Sequence, residues 1–271
     1  MDRLKSVCLC ITLRCNLECR HCFVEAGPYR KEEMTLAQIE HILHSVGPYV
    51  DRVWFSGGEP TIVKDKLLFG LNCAASIKKR YGCPQFICIQ TNATFAGTPE
   101  EIFRFLVDLH QSGANEIDIT SNDSFHFEQM DSTLPWTVAN IASRSGLFER
   151  VSIGGSEYKV VKRIGRAAKI PKTELEGFDF GYKEKCVFTG SDFVVYPDGN
   201  LLPCIYGKRL SLGNLYNSSF VDIINSKRTV LLLGQLGSED FLGLFRAQDQ
   251  YDDICDYCNA SFGLDLEAMQ S

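Results

Sequence analysis

The sequence predicts an α/β fold, and three observations predict it. Apolar stretches of strand length alternate with longer stretches of helical spacing along roughly the first 169 residues. Glycines, prolines and capping residues punctuate the joints. Beyond that point the alternation stops, and an Asp-Gly turn between two short apolar runs marks a β-hairpin followed by one further helical run. This order implies a mostly parallel sheet with helices outside it, and chemistry placed where strands end and loops begin.

The elements follow in turn. Residues 6–13 alternate apolar side chains and stop just before Cys15, as a buried strand does. Residues 34–46 carry helical spacing, with Thr35 suited to an N-cap. Residues 52–56 form a short strand stopped by Gly57-Gly58. A helix is expected over 65–80 and a strand over 86–90. Residues 99–111 read as a helix with Thr98 capping it and Gly113 ending it. Next come a strand at 116–120, a helix at 135–145 stopped by Gly146, a strand at 150–153 and a less regular one at 157–162. Residues 170–185 mix Pro, Gly and charge, and read as a linker. The hairpin strands are 192–196 and 200–204, flanking Pro197-Asp198-Gly199, with a helix near 219–233. The expected division is a domain over 1–169, the linker 170–185, and a module over 186–271.

Composition narrows the function. The net charge is −6 and the sequence pI about 5.5, so the electrostatic footprint of a nucleic-acid binder is missing. No apolar run is long enough to span a bilayer, and the N-terminus carries no secretory pattern. No membrane association is expected, and a cytoplasmic location is. Twelve cysteines remain to be explained. Disulfides are not expected in such a compartment, and grouped spacing points to metal ligation.

Cys15, Cys19 and Cys22 place three thiolates in one tight loop. On a four-iron cluster, three cysteines would leave one iron open to a ligand. The same spacing also suits a zinc loop or a cluster of packed thiols. Gly57-Gly58-Glu59-Pro60 ends the second strand. Its glycines let backbone approach a ligand, and Glu59 offers an acceptor for an ammonium group. Alone, this is also an ordinary Gly-Gly turn.

Together, the two motifs at this separation resemble the radical SAM superfamily. The resemblance covers about residues 6–166 and implies a partial (β/α)6 TIM-like barrel. It implies a 4Fe-4S cluster on Cys15, Cys19 and Cys22 that binds S-adenosyl-L-methionine (SAM), with Gly57, Gly58, Glu59 and Pro60 at the methionine amino group. Thr91 and Asn92 stand in Thr91-Asn92-Ala93, similar to the family's Thr-Asn-Gly but with Ala in place of Gly. Ser121 and Asp123 sit where family members contact SAM. Arg166, in Gly165-Arg166-Ala167, resembles a further stretch of that kind. Each could equally be a loop-forming polar residue. No catalytic residue is evident; His126 is a candidate proton donor, with a packed or solvated histidine as the alternative.

The second cysteine group is Cys186, Cys204, Cys255 and Cys258. Four thiolates would also suit structural zinc. The spacing of Cys186 and Cys204 about Gly199 resembles the twitch module, the shorter relative of SPASM. That likeness implies a second, fully ligated 4Fe-4S cluster with an electron-transfer or structural role. Cys8, Cys10, Cys73, Cys83 and Cys88 read as buried inert thiols.

The resemblance implies reductive cleavage of SAM to a 5′-deoxyadenosyl radical and hydrogen abstraction from a substrate carbon, fed by a flavodoxin- or ferredoxin-type electron donor. Relatives of this build modify ribosomally made precursor peptides by crosslinking, epimerisation or excision, so a precursor peptide is the expected substrate. Only fourteen residues precede Cys15, so a separate peptide-recognition protein is expected rather than a fused domain. The alternatives are a small-molecule radical dehydrogenase in antibiotic assembly, a sulfatase-maturing enzyme, and a non-catalytic iron–sulfur partner protein.

Overall fold

A computed structural model describes residues 4–95, 97–154, 161, 163–175, 192–207, 209–236, 238, 255, 257 and 258. Strand β1 (Leu4–Thr12) is buried on both faces from its third residue onward, as a central strand must be. Helix α1 (Leu36–Val46) starts at the predicted cap: the Thr35 hydroxyl accepts from the Gln38 amide, and the Gln38 side chain accepts from the Thr35 amide. Strand β2 (Val50–Gly57), helix α2 (Lys64–Tyr81) and strand β3 (Phe86–Thr91) follow. Helix α3 (Pro99–Gln111) carries a second capping box, formed by Thr98 and Glu101. Strand β4 (Glu116–Ile119), the short helix α4 (Ser124–Phe127), helix α5 (Leu134–Ser145) and strand β5 (Arg150–Ile153) complete the alternation. The strand expected at 157–162 lies outside the described residues, apart from Val161, which is not in a strand.

The C-terminal part contributes β6 (Asp192–Val195), β7 (Asn200–Leu202), β8 (Gly213–Asn214), α6 (Phe220–Asn225) and α7 (Lys227–Leu236). The single helix predicted at 219–233 is two. Ser226 has extended backbone, and its hydroxyl accepts from the Thr229 amide at 3.1 Å, capping the second. Of the predicted linker, residues 170–175 are described, and Lys172–Leu175 form a 3-10 turn.

One eight-stranded sheet runs in the order β5-β4-β3-β2-β1-β6-β7-β8. Strands β1 to β5 are parallel neighbours, and β6 adds to β1 in parallel on the side away from β2. The Asp-Gly hairpin then returns β7 antiparallel to β6. The result is the predicted mixed α/β, partial-barrel-like architecture, with the C-terminal hairpin continuing its sheet.

Alternation along each strand separates two faces. Leu9, Phe55, Ile89 and Ile117 lie in register and pack into the main core with Ile39, Leu71 and Leu106 of the helices. The opposite face aligns Cys8, Trp54, Cys88, Glu116 and Arg150. It is polar and paired: Arg52 donates to both Glu116 oxygens at 2.9 and 3.1 Å, while Gln90 and Ser152 donate to Asp118 at 3.1 and 2.6 Å. A buried carboxylate such as Glu116 persists only with such partners. No helix among the described residues is long and apolar enough to cross a membrane.

Candidate active site

The loop that leaves β1 folds back on itself. The Leu13 amide donates to Glu32 O at 2.8 Å, and the Cys15 amide to Gly27 O at 3.1 Å. This hairpin-like return holds Cys15 and Cys19 buried and Cys22 half-buried. All three line one cavity of about 370 Å³, together with Gly57, Gly58, Thr91 and Asn92. The sequence-predicted loop and strand ends therefore meet in one space.

Glycine is required where β2 ends. Gly57 takes φ +134°, and a Cβ there would stand 2.1 Å from Thr12 O. A Cβ on Gly58 would stand 2.1 Å from Arg14 O. The bare backbone instead closes on the cysteine loop: the Gly58 amide donates to Thr12 O at 2.7 Å, and the Glu59 amide to Arg14 O at 2.9 Å.

Glu59 is placed differently from the expectation that its carboxylate faces a ligand ammonium. It is fully buried, and Oε1 accepts from the Thr61 amide at 3.0 Å, the Thr61 hydroxyl at 2.6 Å and the Thr91 hydroxyl at 2.8 Å. Oε2 accepts from the Asn92 amide at 2.7 Å. Burial pushes its carboxyl pKa up, against the downward pull of these bonds. The carboxylate thus ties the end of β2 to the end of β3, and the Gly57–Gly58 backbone is what the motif presents to the cavity. Pro60 and Thr61 turn away in a 3-10 turn.

Asn92 reaches the cysteine loop directly. Its Nδ2 donates to Cys15 Sγ at 3.6 Å and to Asn16 Oδ1 at 3.2 Å. The Leu17 amide also points at Cys15 Sγ, at 3.4 Å. Ala93, where the resembling motif has Gly, does take φ +63° and is wholly buried. The left-handed geometry is kept, at a strain of about 1 kcal/mol for a residue with a Cβ.

Ser121 and Asp123 also act through protein. The Ser121 hydroxyl donates to Asn92 O at 2.8 Å. Asp123 caps α4, accepting from the Phe125 and His126 amides at 2.9 and 3.0 Å, and its Oδ2 meets His126 Nδ1 at 2.6 Å. Burial is the largest single influence and acts against the charge on Asp123, but the His126 bonds and the His126 and His21 charges together outweigh it and hold the carboxyl below its usual range. His126 lines the cavity. His21 stacks on Phe125 at 4.9 Å, and burial pushes its pKa down to about 4. α4 itself escaped prediction, although Asp123 two residues before an aromatic run is a capping signal.

Arg166 clamps the cysteine loop. Its Nε donates to Cys19 O at 2.9 Å, and its amino groups to Ala26 O at 2.6 Å and the Tyr29 hydroxyl at 3.1 Å. Its own amide donates to Cys22 O at 3.1 Å. Gly165 beside it takes φ +63°, and a Cβ there would meet Phe23 O at 2.4 Å. Arg166→Ala should therefore lower the iron retained per chain toward half, with no gain from Arg166→Lys, whose single ammonium cannot span three acceptors. Iron content after reconstitution and desalting checks this; full iron in Arg166→Ala would remove the clamp role.

The residues present fit an iron–sulfur cluster. The donor set is three thiols, and burial holds Cys15 and Cys19 up at about 12, so metal binding must displace their protons. Among the described residues, the ligand atoms that converge within 4.8 Å belong to Cys19, His21 and His126. Cys15 and Cys22 are not in that group; with Cys19 they supply the three thiols of the loop, the donor type that iron–sulfur clusters take. In the C-terminal part, Cys204, Cys255 and Cys258 are described, with Cys255 buried; Cys186 lies outside the described residues. Ile205 and Tyr206, next to Cys204, line the same cavity as the first cysteine loop. Sequence reasoning passed over these two and Gln90 and Thr120, and read Cys10 as an inert thiol, yet all share that wall.

Comparison with known proteins gives two family matches. Residues 9–127 match the radical SAM superfamily, and residues 186–259 match the iron–sulfur cluster-binding domain called SPASM. The second match opens at Cys186 and closes one residue after Cys258. Among solved structures, BtrN in complex with AdoMet and 2-DOIA is similar at a TM-score of 0.58 and 19% identity, covering 89% of this chain and 90% of that one. The structure of anSMEcpe with bound AdoMet and the Cp18Cys peptide has a TM-score of 0.53 and 14% identity, covering 98% and 97%. A GTP 3′,8-cyclase of Clostridium botulinum (strain Hall) is 28% identical over 166 residues, 59% of this chain. A probable GTP 3′,8-cyclase of Methanocella arvoryzae is 36% identical over 64 residues. These matches span 42% and 21% of the two relatives' own lengths.

Proposed function

Because this chain is a radical SAM protein with a SPASM-type iron–sulfur domain behind its barrel, we propose that it cleaves SAM reductively and abstracts hydrogen from a carbon of a ribosomally made precursor peptide. When bound, the SAM-binding 4Fe-4S cluster supplies one electron to the sulfonium and so generates the 5′-deoxyadenosyl radical. Cys15, Cys19 and Cys22 would hold that cluster. The Gly57–Gly58 backbone would receive the methionine end of SAM, with Thr91 and Asn92 closing the wall beside it. Asn92 and the Leu17 amide would donate to the Cys15 sulfur and so lower its basicity. Cys186, Cys204, Cys255 and Cys258 would hold the auxiliary cluster, and a flavodoxin- or ferredoxin-type donor would supply electrons.

One observation carries this reading: three cysteines of one loop and the glycine end of β2 line a single cavity of about 370 Å³. The test is anaerobic reconstitution, which should give about eight irons per chain, as two four-iron clusters. Reduction in the presence of SAM should then release 5′-deoxyadenosine. A reconstituted chain that holds both clusters and leaves SAM intact would overturn the reading.

The peptide substrate draws support from anSMEcpe, solved with AdoMet and a peptide together. A small-molecule substrate is the second reading, favoured by BtrN, solved with AdoMet and 2-DOIA at nearly matching length. A short reading frame beside the gene whose peptide product shifts mass on co-expression would decide for the first. A separate recognition protein belongs to that reading and would raise the rate on a full-length precursor.

A further inference from the structure

The inner face of β1 carries two thiols that the reading above leaves without a task. Cys8 and Cys10 stand two residues apart, so both side chains leave the strand on the same face. Cys8 lies opposite Trp54 and Cys10 opposite Ser56, in the polar row rather than the helix-packed row. Both are buried and free of disulfides, and the two thiols are close enough for Cys8 to raise the pKa of Cys10. Cys10 lines the same cavity as Cys15, Cys19, Cys22, Gly57 and Gly58. Around the pair close Val194, Leu202, Trp54, Tyr196 and Ile205.

The chemistry of this wall is selective. A carbon radical takes hydrogen readily from an S–H bond, which is weaker than an alkyl C–H bond. Alcohol O–H, amide N–H and imidazole N–H bonds are too strong to serve. Ser56, Gln90, Thr120 and His126, which share the wall, are therefore excluded as hydrogen-atom donors. Cys10 and Tyr206 are left outside the cluster loop. Tyr206 is engaged edge-on with Phe23 at 5.1 Å. The neighbouring Cys8 thiol and burial keep the Cys10 thiol protonated, so its hydrogen is present at neutral pH. The Tyr196 hydroxyl beside the pair is buried with no hydrogen-bond partner among the described residues, within electrostatic reach of Cys10 and Cys8.

Resting on the proposed SAM cleavage, we infer that Cys10 is a hydrogen-atom donor of this site, returning hydrogen to a substrate carbon radical so that the substrate leaves without net oxidation. The steps balance. The substrate loses a hydrogen atom to the adenosyl radical, which becomes 5′-deoxyadenosine. The Cys10 S–H bond breaks as the new substrate C–H bond forms, leaving a thiyl radical. One electron from a low-potential flavodoxin- or ferredoxin-type donor and one proton from solvent restore the thiol. Each cycle consumes one SAM, two electrons and one proton, and the reaction class is inversion at carbon or quenching of a rearranged radical.

The test needs no substrate. The full chain is reconstituted with iron in D2O without added thiols, so that Cys10 carries S–D, and is reduced with titanium(III) citrate in the presence of SAM alone. In the open cavity the nearest weak bond to the adenosyl radical is S–D, and the released 5′-deoxyadenosine should carry one deuterium at C5′. Cys10→Ser and Cys10→Ala should each cut the labelled fraction at least tenfold, with iron content and melting temperature matching the unsubstituted chain. Tyr206→Phe should keep the label. Unlabelled product from the unsubstituted chain, or equal labelling in both Cys10 variants, would overturn the inference while leaving SAM cleavage intact. Absence of any 5′-deoxyadenosine would sink the underlying reading, and this inference with it.

Discussion

Replacing Cys15, Cys19 and Cys22 together with Ala should abolish 5′-deoxyadenosine release and leave about four of about eight irons per chain. The expectation follows from where the cysteines stand. All three belong to the return loop that leaves β1, and that loop is held mainly by its own backbone bonds and by Arg166, with Cys15 Sγ adding bonds from the Leu17 amide and Asn92. Removing the thiols therefore takes away the ligands and leaves the loop's backbone bonds and the Arg166 clamp in place. The triple variant is the clean one, because a single vacancy can be filled by solvent or an added thiol. The C-terminal cysteines sit on other elements, so their share of iron should survive. Iron analysis and chromatography of the SAM products read both halves of the claim. Persistent cleavage in the triple variant would exclude this loop as the place where SAM reacts.

Glu59→Gln should cost on the order of 4 kcal/mol of stability, the largest loss expected from one substitution near the site. Four donors converge on this carboxylate: two from Thr61, one from Thr91 and one from the Asn92 amide. Bonds to a charged acceptor contribute about 1.5–3 kcal/mol each, and a buried donor left without its acceptor costs about 1–3 kcal/mol. A Gln side chain keeps the volume but offers one oxygen where two accepted, and turns an NH2 toward donors. The melting temperature should fall by roughly 10 °C for a chain of this size. The cluster-free chain decides the matter. If the carboxylate instead served mainly to grip a ligand ammonium, Glu59→Gln would leave the cluster-free melting temperature unchanged and raise only the SAM concentration needed.

Most of the fold could be read from residues. The caps at Thr35 and Thr98, the stop at Gly146 and the Asp-Gly hairpin each fell where the chain turns, because local chemistry decides those positions. The site could be read as a set of residues but not as a set of roles. Glu59, Ser121, Asp123 and Arg166 have the side chains of ligand binders, yet each spends its hydrogen bonds on protein. Loops gathered around a cavity bury amides and carbonyls that helices and strands do not satisfy, and nearby polar side chains are drawn to them. Sequence order does not disclose which need wins. The inner wall was hidden for a related reason. Ser6, Cys8 and Cys10 alternate with Val7, Leu9 and Ile11, a two-faced pattern visible in the sequence. Which face meets the helices is decided only when five strands align.

The parallel pairing of β6 with β1 has a consequence for how the chain can be divided. β1 is interior only because Ser6 to Leu9 are matched by Asp192 to Val195. Cutting the chain before residue 186 would turn β1 into a sheet margin, with a row of unpaired amides and carbonyls beside Val7, Leu9 and Ile11. Such an exposed apolar margin is a template for strands of other molecules. The truncated chain should therefore self-associate into β-rich aggregates rather than persist as a monomeric half-enzyme, whatever becomes of its iron.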